Sequence, residues 1–90
     1  MTVSKHAEKR MMERLGINKR SVLRIAQKAL DEGIPHGKTK GKLHKYLDKQ
    51  AMAYDRRNKW RVYGNHLYAF TFNDELVTVL PLKHDLIKYK

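Results

Sequence analysis

The hydrophobic period of the chain changes once, near Asn58, and this change limits the folds open to it. Before Asn58 apolar residues recur every three or four positions, as on the buried face of an amphipathic helix. After Asn58 they recur at every second position, which is typical of strands. A chain of 90 residues is long enough for one domain. We therefore expect a single α+β domain, in which three N-terminal helices precede a three-stranded antiparallel β-meander packed on them.

Three helices are predicted before Asn58, at about 4–15, 18–31 and 40–54. Ser4 and Asn18 are suited to cap the first two, because their side chains accept a hydrogen bond from a free N–H of the first turn. Gly16 and Gly33 are placed to end them. The third helix carries a lysine-rich outer face.

Three strands are predicted after that point, at about 59–64, 66–72 and 75–80. Gly64–Asn65 and Asn73–Asp74 separate them, and these residue types tolerate the positive φ of tight hairpins. If each turn has two residues, Phe70 opposes Val77 across the last hairpin.

One face of this meander is aromatic and polar together. In the predicted register it collects Arg61, Tyr63, His66, Tyr68, Phe70, Phe72, Val77 and Val79. No segment is predicted to cover it, and an open face of this kind is suited to stacking on unpaired bases. Two interpretations stay open, because the same aromatic residues could form the core, and a one-residue change in either turn would invert part of the face.

Positive charge is concentrated in the middle of the chain. Lys and Arg total 20 against 9 Asp and Glu, a formal net charge of +11. Residues 34–61 hold nine basic and two acidic residues, a net of +7, whereas residues 62–90 hold three of each. Charge confined to one part of a small domain is typical of a protein that binds a polyanion, although a solvated surface that keeps the protein soluble is the alternative. The candidate nucleic-acid-binding residues are Arg14, Lys38, Lys40, Lys42, Lys45, Lys49, Arg56, Arg57, Arg61, Tyr63, His66 and Tyr68.

Several classes of protein are excluded by what the sequence lacks. Without cysteine, the chain has neither a disulfide framework nor a thiolate metal site. No segment approaches the ~20 apolar residues of a membrane-spanning helix, and the first ten residues lack the apolar stretch of a signal peptide. We therefore expect a soluble, cytoplasmic protein without a membrane partner.

The five histidines do not predict a metal site. No pair of them has zinc-ligand spacing together with a third ligand, so neither a metal ion nor another cofactor is expected.

His6, Arg10 and Arg14 are spaced by four residues and form one stripe on the first predicted helix. An imidazole can move a proton to or from a 2′-hydroxyl, and a guanidinium can hold a phosphate while charge develops on it. The alternative is that these three residues form only a solvated helix face, as is expected on a very basic chain.

The segment from Leu15 to Ile25 resembles a helix-turn-helix, with Gly16 in the turn and Val22 placed to pack the second helix. That resemblance implies that Lys19, Arg20 and Arg24, near the start of the second helix, read base edges of duplex DNA.

A second resemblance covers most of the chain. It rests on the His6, Arg10 and Arg14 helix and on three further stretches, namely Leu30–Ile34, Val62–Phe70 and Leu76–Pro81. Together these resemble small phage and prophage proteins grouped with the barnase–EndoU–colicin–RelE (BECR) type of ribonuclease fold. The resemblance implies helices followed by an antiparallel sheet and a cytoplasmic, RNA-directed activity. It also implies that His6 is the acid or base, that Arg10 holds the phosphate, and that Thr78 is a third catalytic candidate.

Our hypothesis from the sequence is an RNA-binding, ribonuclease-like protein of phage type, and metal-independent endoribonuclease activity is its stronger form. One alternative is a helix-turn-helix or winged-helix DNA-binding protein. The other is a non-enzymatic phage protein that acts on a host nuclease ribonucleoprotein. The partners expected are RNA or another nucleic acid, such a ribonucleoprotein, or a protein inhibitor.

Overall fold

The first two helices begin and end close to the residues that are suited to cap them. The computed structural model describes residues 1–55 and 57–88. Its helices are α1 (Lys5–Leu15), α2 (Lys19–Glu32), a short 3-10 helix (His36–Lys38), α3 (Gly41–Ala53) and α4 (His84–Ile87). The bounds of α1, α2 and α3 lie within one residue of the predicted ranges. Because α4 follows the sheet, the expectation that all helices are N-terminal is wrong.

Capping hydrogen bonds explain why α1 and α2 begin where they do. The Ser4 hydroxyl accepts from the backbone N–H of Ala7 at 3.1 Å, and the Asn18 side chain accepts from that of Ser21 at 3.2 Å. Gly16 ends α1 in the left-handed region, with φ at 65°. The turn from α1 to α2 is therefore determined by local sequence.

The sheet has five strands instead of the expected three. They are β1 (Thr2–Val3), β2 (Ile34–Pro35), β3 (Lys59–Tyr63), β4 (His66–Phe70) and β5 (Glu75–Pro81), in the order β1-β5-β4-β3-β2. The β1 strand is parallel to β5 and the other neighbours are antiparallel, so the sheet is mixed. The meander of β3, β4 and β5 is present. The two additional edge strands have two residues each, which is too short to produce a periodic pattern in a sequence.

The register of the last hairpin differs from the prediction. Phe70 pairs with Leu76 and not with Val77, because the ladder shifts by one residue next to Ala69 and Phe70. Four residues, 71–74, connect the two strands, and Asp74 takes a positive φ of 63°. A bulge of this kind moves side chains between faces, and Leu76 thereby joins Phe70 on the same side of the sheet.

Helices cover both faces of the sheet, so of the two interpretations of the aromatic face the one that places Tyr68 and Phe70 in the core is confirmed. On one face, Tyr68 and Phe70 pack against Ala7, Met11 and Val22, which come from α1 and α2. Tyr68 retains 1% of its exposure and Phe70 none. The sheet lies between two helical layers because β4 is apolar at nearly every position and buries side chains in both directions.

The second core lies on the opposite face, where Trp60, Val62 and Leu67 pack against Leu43 and Leu47 of α3. Leu82, just before α4, and Leu86, within α4, belong to the same core. Within the described ranges, no helix is both long and apolar enough to cross a bilayer.

Candidate nucleic-acid interface

The lysines of α3 and of the segment just before it are all exposed and lie close together in the chain. We call this set of residues the lysine face, and its members are Lys38, Lys40, Lys42, Lys45 and Lys49. All five are exposed. None of them forms an ion pair with a residue in 1–55 or 57–88. Their charge is therefore not neutralised by the described part of the protein.

The spacing of apolar residues in α3 determines the direction of the three lysines that lie on this helix. Leu43 and Leu47 are fully buried against the sheet. Lys42, Lys45 and Lys49 are spaced by three and four residues, so they form a stripe on the opposite side of the helix. Burial of the leucine side holds the lysines toward solvent.

Among the arginines predicted to bind in the middle of the chain, Arg57 and Arg61 make different contacts with the rest of the protein. Arg56 lies outside the described residues. Arg57 is exposed and makes a two-pronged contact with Asp55, at 3.1 and 2.9 Å. Hydrogen bonds from Arg57 lower the pKa of the Asp55 carboxyl. The half-buried Arg61 donates to the backbone carbonyls of Leu30 and Trp60, so it acts mainly within the fold.

His6, Arg10 and Arg14 all lie on α1 at four-residue spacing, but the three side chains have different surroundings. His6 is exposed in the first turn of α1, and no hydrogen bond or ion pair joins it to another described residue. Arg10 forms an ion pair with Glu13 at 3.3 Å. Arg14 reaches the sheet and donates to the backbone carbonyl of Val79 at 2.6 Å.

Four predicted binding residues meet at the C-terminal end of α1: Arg14, Tyr63, His66 and Tyr68. Burial, followed by the positive charge of Arg14, lowers the pKa of His66. The rings of Tyr63 and Tyr68 meet edge to face, 6.3 Å between centroids. Burial and the neighbouring Tyr63 raise the pKa of Tyr68 to about 12, so this phenol stays protonated. Because Tyr68 is buried, its ring is not available to stack on a base.

Thr78 lies apart from the other two catalytic candidates. It is almost fully buried, pairs with Ala69 across the sheet, and shares the face of the sheet that α3 covers. His6 and Arg10 are on α1, which covers the other face. The structure does not bring the three residues together.

A further cluster of side chains was not found by sequence reasoning. His36, His44 and Asp48 place potential metal-ligand atoms within 4.8 Å of one another. The four-residue spacing of His44 and Asp48 on a predicted helix was an available signal. The third member could not be found this way, because His36 reaches the other two only through the 3-10 helix.

Comparison with known proteins adds no relative. A scan against protein-family models and searches of curated proteins and of solved structures find no match to this chain.

Proposed function

We propose that this protein binds RNA through the lysine face, in the cytoplasm. The observation that carries the proposal is the set of five exposed lysines without an acidic partner among the described residues. Unpaired surface lysines favour binding to a phosphate backbone, because each phosphate that they neutralise releases counterions. The preference for RNA over DNA rests on the resemblance of this chain to the BECR ribonuclease group.

The proposal is tested by removing four charges from the lysine face. Lys38, Lys40, Lys42 and Lys45 are replaced together by Gln, and affinity for single-stranded RNA is measured across a range of salt concentrations. We expect weaker binding on every RNA tested and a shallower dependence of affinity on salt, since fewer counterions are released.

A matched control removes the same number of charges from α2. Its four substituted residues are exposed: Lys19, Arg20, Arg24 and Lys28. Both variants have the same net charge, so a difference between them reports where the RNA lies. Equal losses in the two variants would contradict a localised site. A larger loss in the α2 variant, together with preference for one duplex DNA site, would replace this proposal by the helix-turn-helix hypothesis.

A second proposal concerns cleavage, and the nearness of Arg14 to His66, whose pKa its charge lowers, favours it. A neutral imidazole can accept a proton from a 2′-hydroxyl, and a nearby guanidinium can stabilise the charge that develops on the phosphate. Burial and the charge of Arg14 lower the pKa of His66, which favours the neutral form of its ring. This assigns the acid or base role to His66, whereas the sequence analysis assigned it to His6, and the two assignments are separated experimentally below.

A further inference from the structure

We propose that His36, His44 and Asp48 bind a divalent transition-metal ion of the Zn²⁺ class. Two imidazoles and one carboxylate are ligands that such ions accept in proteins. The cluster lies where the 3-10 helix meets α3, and this assignment is independent of RNA binding.

The three potential ligand atoms of His36, His44 and Asp48 lie within 4.8 Å of one another, close enough for side-chain rotations to gather them around one ion. His36 Nε2 lies 2.7 Å from Asp48 Oδ1, and His44 Nε2 lies 3.6 Å from Asp48 Oδ2. Zinc–ligand bonds of about 2.0–2.1 Å in a tetrahedron imply ligand-to-ligand distances of roughly 3.3 Å. The two observed values involve different oxygens of Asp48, and the three potential ligand atoms all lie within 4.8 Å of one another, so side-chain rotations must bring them closer together to bind one ion.

The buried hydroxyl of Thr39 prepares His44 for an ion. Thr39 is 7% exposed, and its Oγ1 lies 2.6 Å from the carbonyl of His36 and 2.9 Å from His44 Nδ1. The carbonyl can only accept, so it takes the single hydroxyl hydrogen. Oγ1 must then accept a hydrogen from His44 Nδ1. In the neutral ring this leaves the lone pair on Nε2, the atom that faces Asp48.

A lone pair facing a carboxylate is unfavourable unless a cation lies between them. A metal ion between His44 Nε2 and Asp48 Oδ2 would therefore stabilise this arrangement. His36 Nε2 donates a hydrogen bond to Asp48 Oδ1, because an ionised carboxylate only accepts, and an ion takes the place of this hydrogen when the ring hydrogen lies on Nδ1 instead. Three protein ligands leave a fourth position for water, which is typical of an open and exchangeable site. A shallow depression lined by His36, Asp48, Ala51 and Met52 lies beside the cluster.

The test is a titration of the full-length, tag-free chain with Zn²⁺ by isothermal calorimetry, and with Co²⁺ followed by visible absorption. We expect one ion per chain. Thr39→Val should weaken binding by ~10- to 100-fold, the usual cost of losing a partner that orients a ligand. His44→Gln and Asp48→Asn, which remove ligands, should weaken it further. His6→Gln is the matched control, because it removes an exposed histidine on α1, and it should bind as the parent protein does.

A measurement without substitutions guards against variants that do not fold. Long-range proton–nitrogen correlation spectra of the parent protein should show Zn²⁺ shifting the Nε2 resonances of two histidines. Three results would each overturn the proposal: no binding by the folded parent protein, unchanged affinity in Asp48→Asn, or loss of binding in His6→Gln.

Discussion

The guanidinium of Arg14, in the last turn of α1, donates a hydrogen bond to the backbone carbonyl of Val79 on β5 over 2.6 Å. Its positive charge also lowers the pKa of His66 on β4. One side chain thus joins a helix to the sheet and influences the protonation of a histidine on the neighbouring strand.

Replacing Arg14 by Gln should destabilise the protein. The substitution removes a charge-assisted hydrogen bond to a sheet carbonyl, and we expect a loss of about 1 kcal/mol in the free energy of unfolding, since the arginine is solvent-exposed. Arg10→Gln is the control, because it removes only an exposed ion pair with Glu13 and should cost less than about 0.5 kcal/mol. Urea denaturation of both variants measures the difference, and equal losses would contradict the structural role of Arg14.

His66 should make the stability of the protein depend on pH. Burial first and Arg14 second lower its pKa below the ordinary 6.5. The unfolded chain then binds the proton more readily than the folded one, so the free energy of unfolding falls as pH drops through 6.5 toward the folded-state pKa.

Two measurements check this dependence. An NMR titration of the parent protein should place the His66 pKa below 6.5, and Arg14→Gln should raise it. In denaturation experiments His66→Gln should flatten the fall in stability on the acidic side. An unchanged pH profile in His66→Gln would assign the effect to other groups.

Gly33→Ala should destabilise the junction between α2 and β2. A Cβ at Gly33 would lie 2.4 Å from the carbonyl oxygen of Ala29 and 2.9 Å from Cβ of Arg61. Relief requires the helix end to move away from β3, and we expect a loss of about 1–3 kcal/mol, typical of overpacking. Gly37→Ala is the matched control, because a Cβ there meets nothing within 4 Å. Thermal unfolding of the two variants should separate them clearly.

Cleavage is tested with total RNA in EDTA. If the protein cuts RNA, the products should carry 2′,3′-cyclic phosphate ends. His66→Ala should lower the rate by ~100- to 10,000-fold, the range typical of an acid or base, while RNA affinity persists. His6→Ala separates the two assignments, because the exposed His6 has no polar partner among the described residues and its loss should leave the rate nearly unchanged. The opposite ranking of the two variants would restore the assignment made from the BECR resemblance.

Local signals predicted the main elements well. Ser4, Asn18 and Gly16 determine the bounds of α1 and the start of α2 through hydrogen bonds and φ angles within a few residues. The Tyr63–His66 pairing likewise follows from a two-residue turn with Gly64 at φ 58°. Such features depend on neighbours in the chain, which a sequence displays directly.

The candidate sites depended on distance in space and were predicted only in part. The exposure of Lys45 and Lys49 follows from the amphipathic pattern of α3. The proximity of Arg14 to His66 follows from how α1 lies across the sheet, which the sequence does not display.

What the sequence alone determined is therefore the order of α1, α2 and α3 and of β3, β4 and β5, their approximate bounds, and the exposure of the lysines on α3. Tertiary structure decided the rest: the two edge strands, the bulge that pairs Phe70 with Leu76, and the meeting of His36 with His44 and Asp48. It also decided that α1 and α2 cover the aromatic face. Both faces of β4 are apolar, and burying only one would leave rings such as Phe70 in water, so the chain places a helical layer on each side of its sheet.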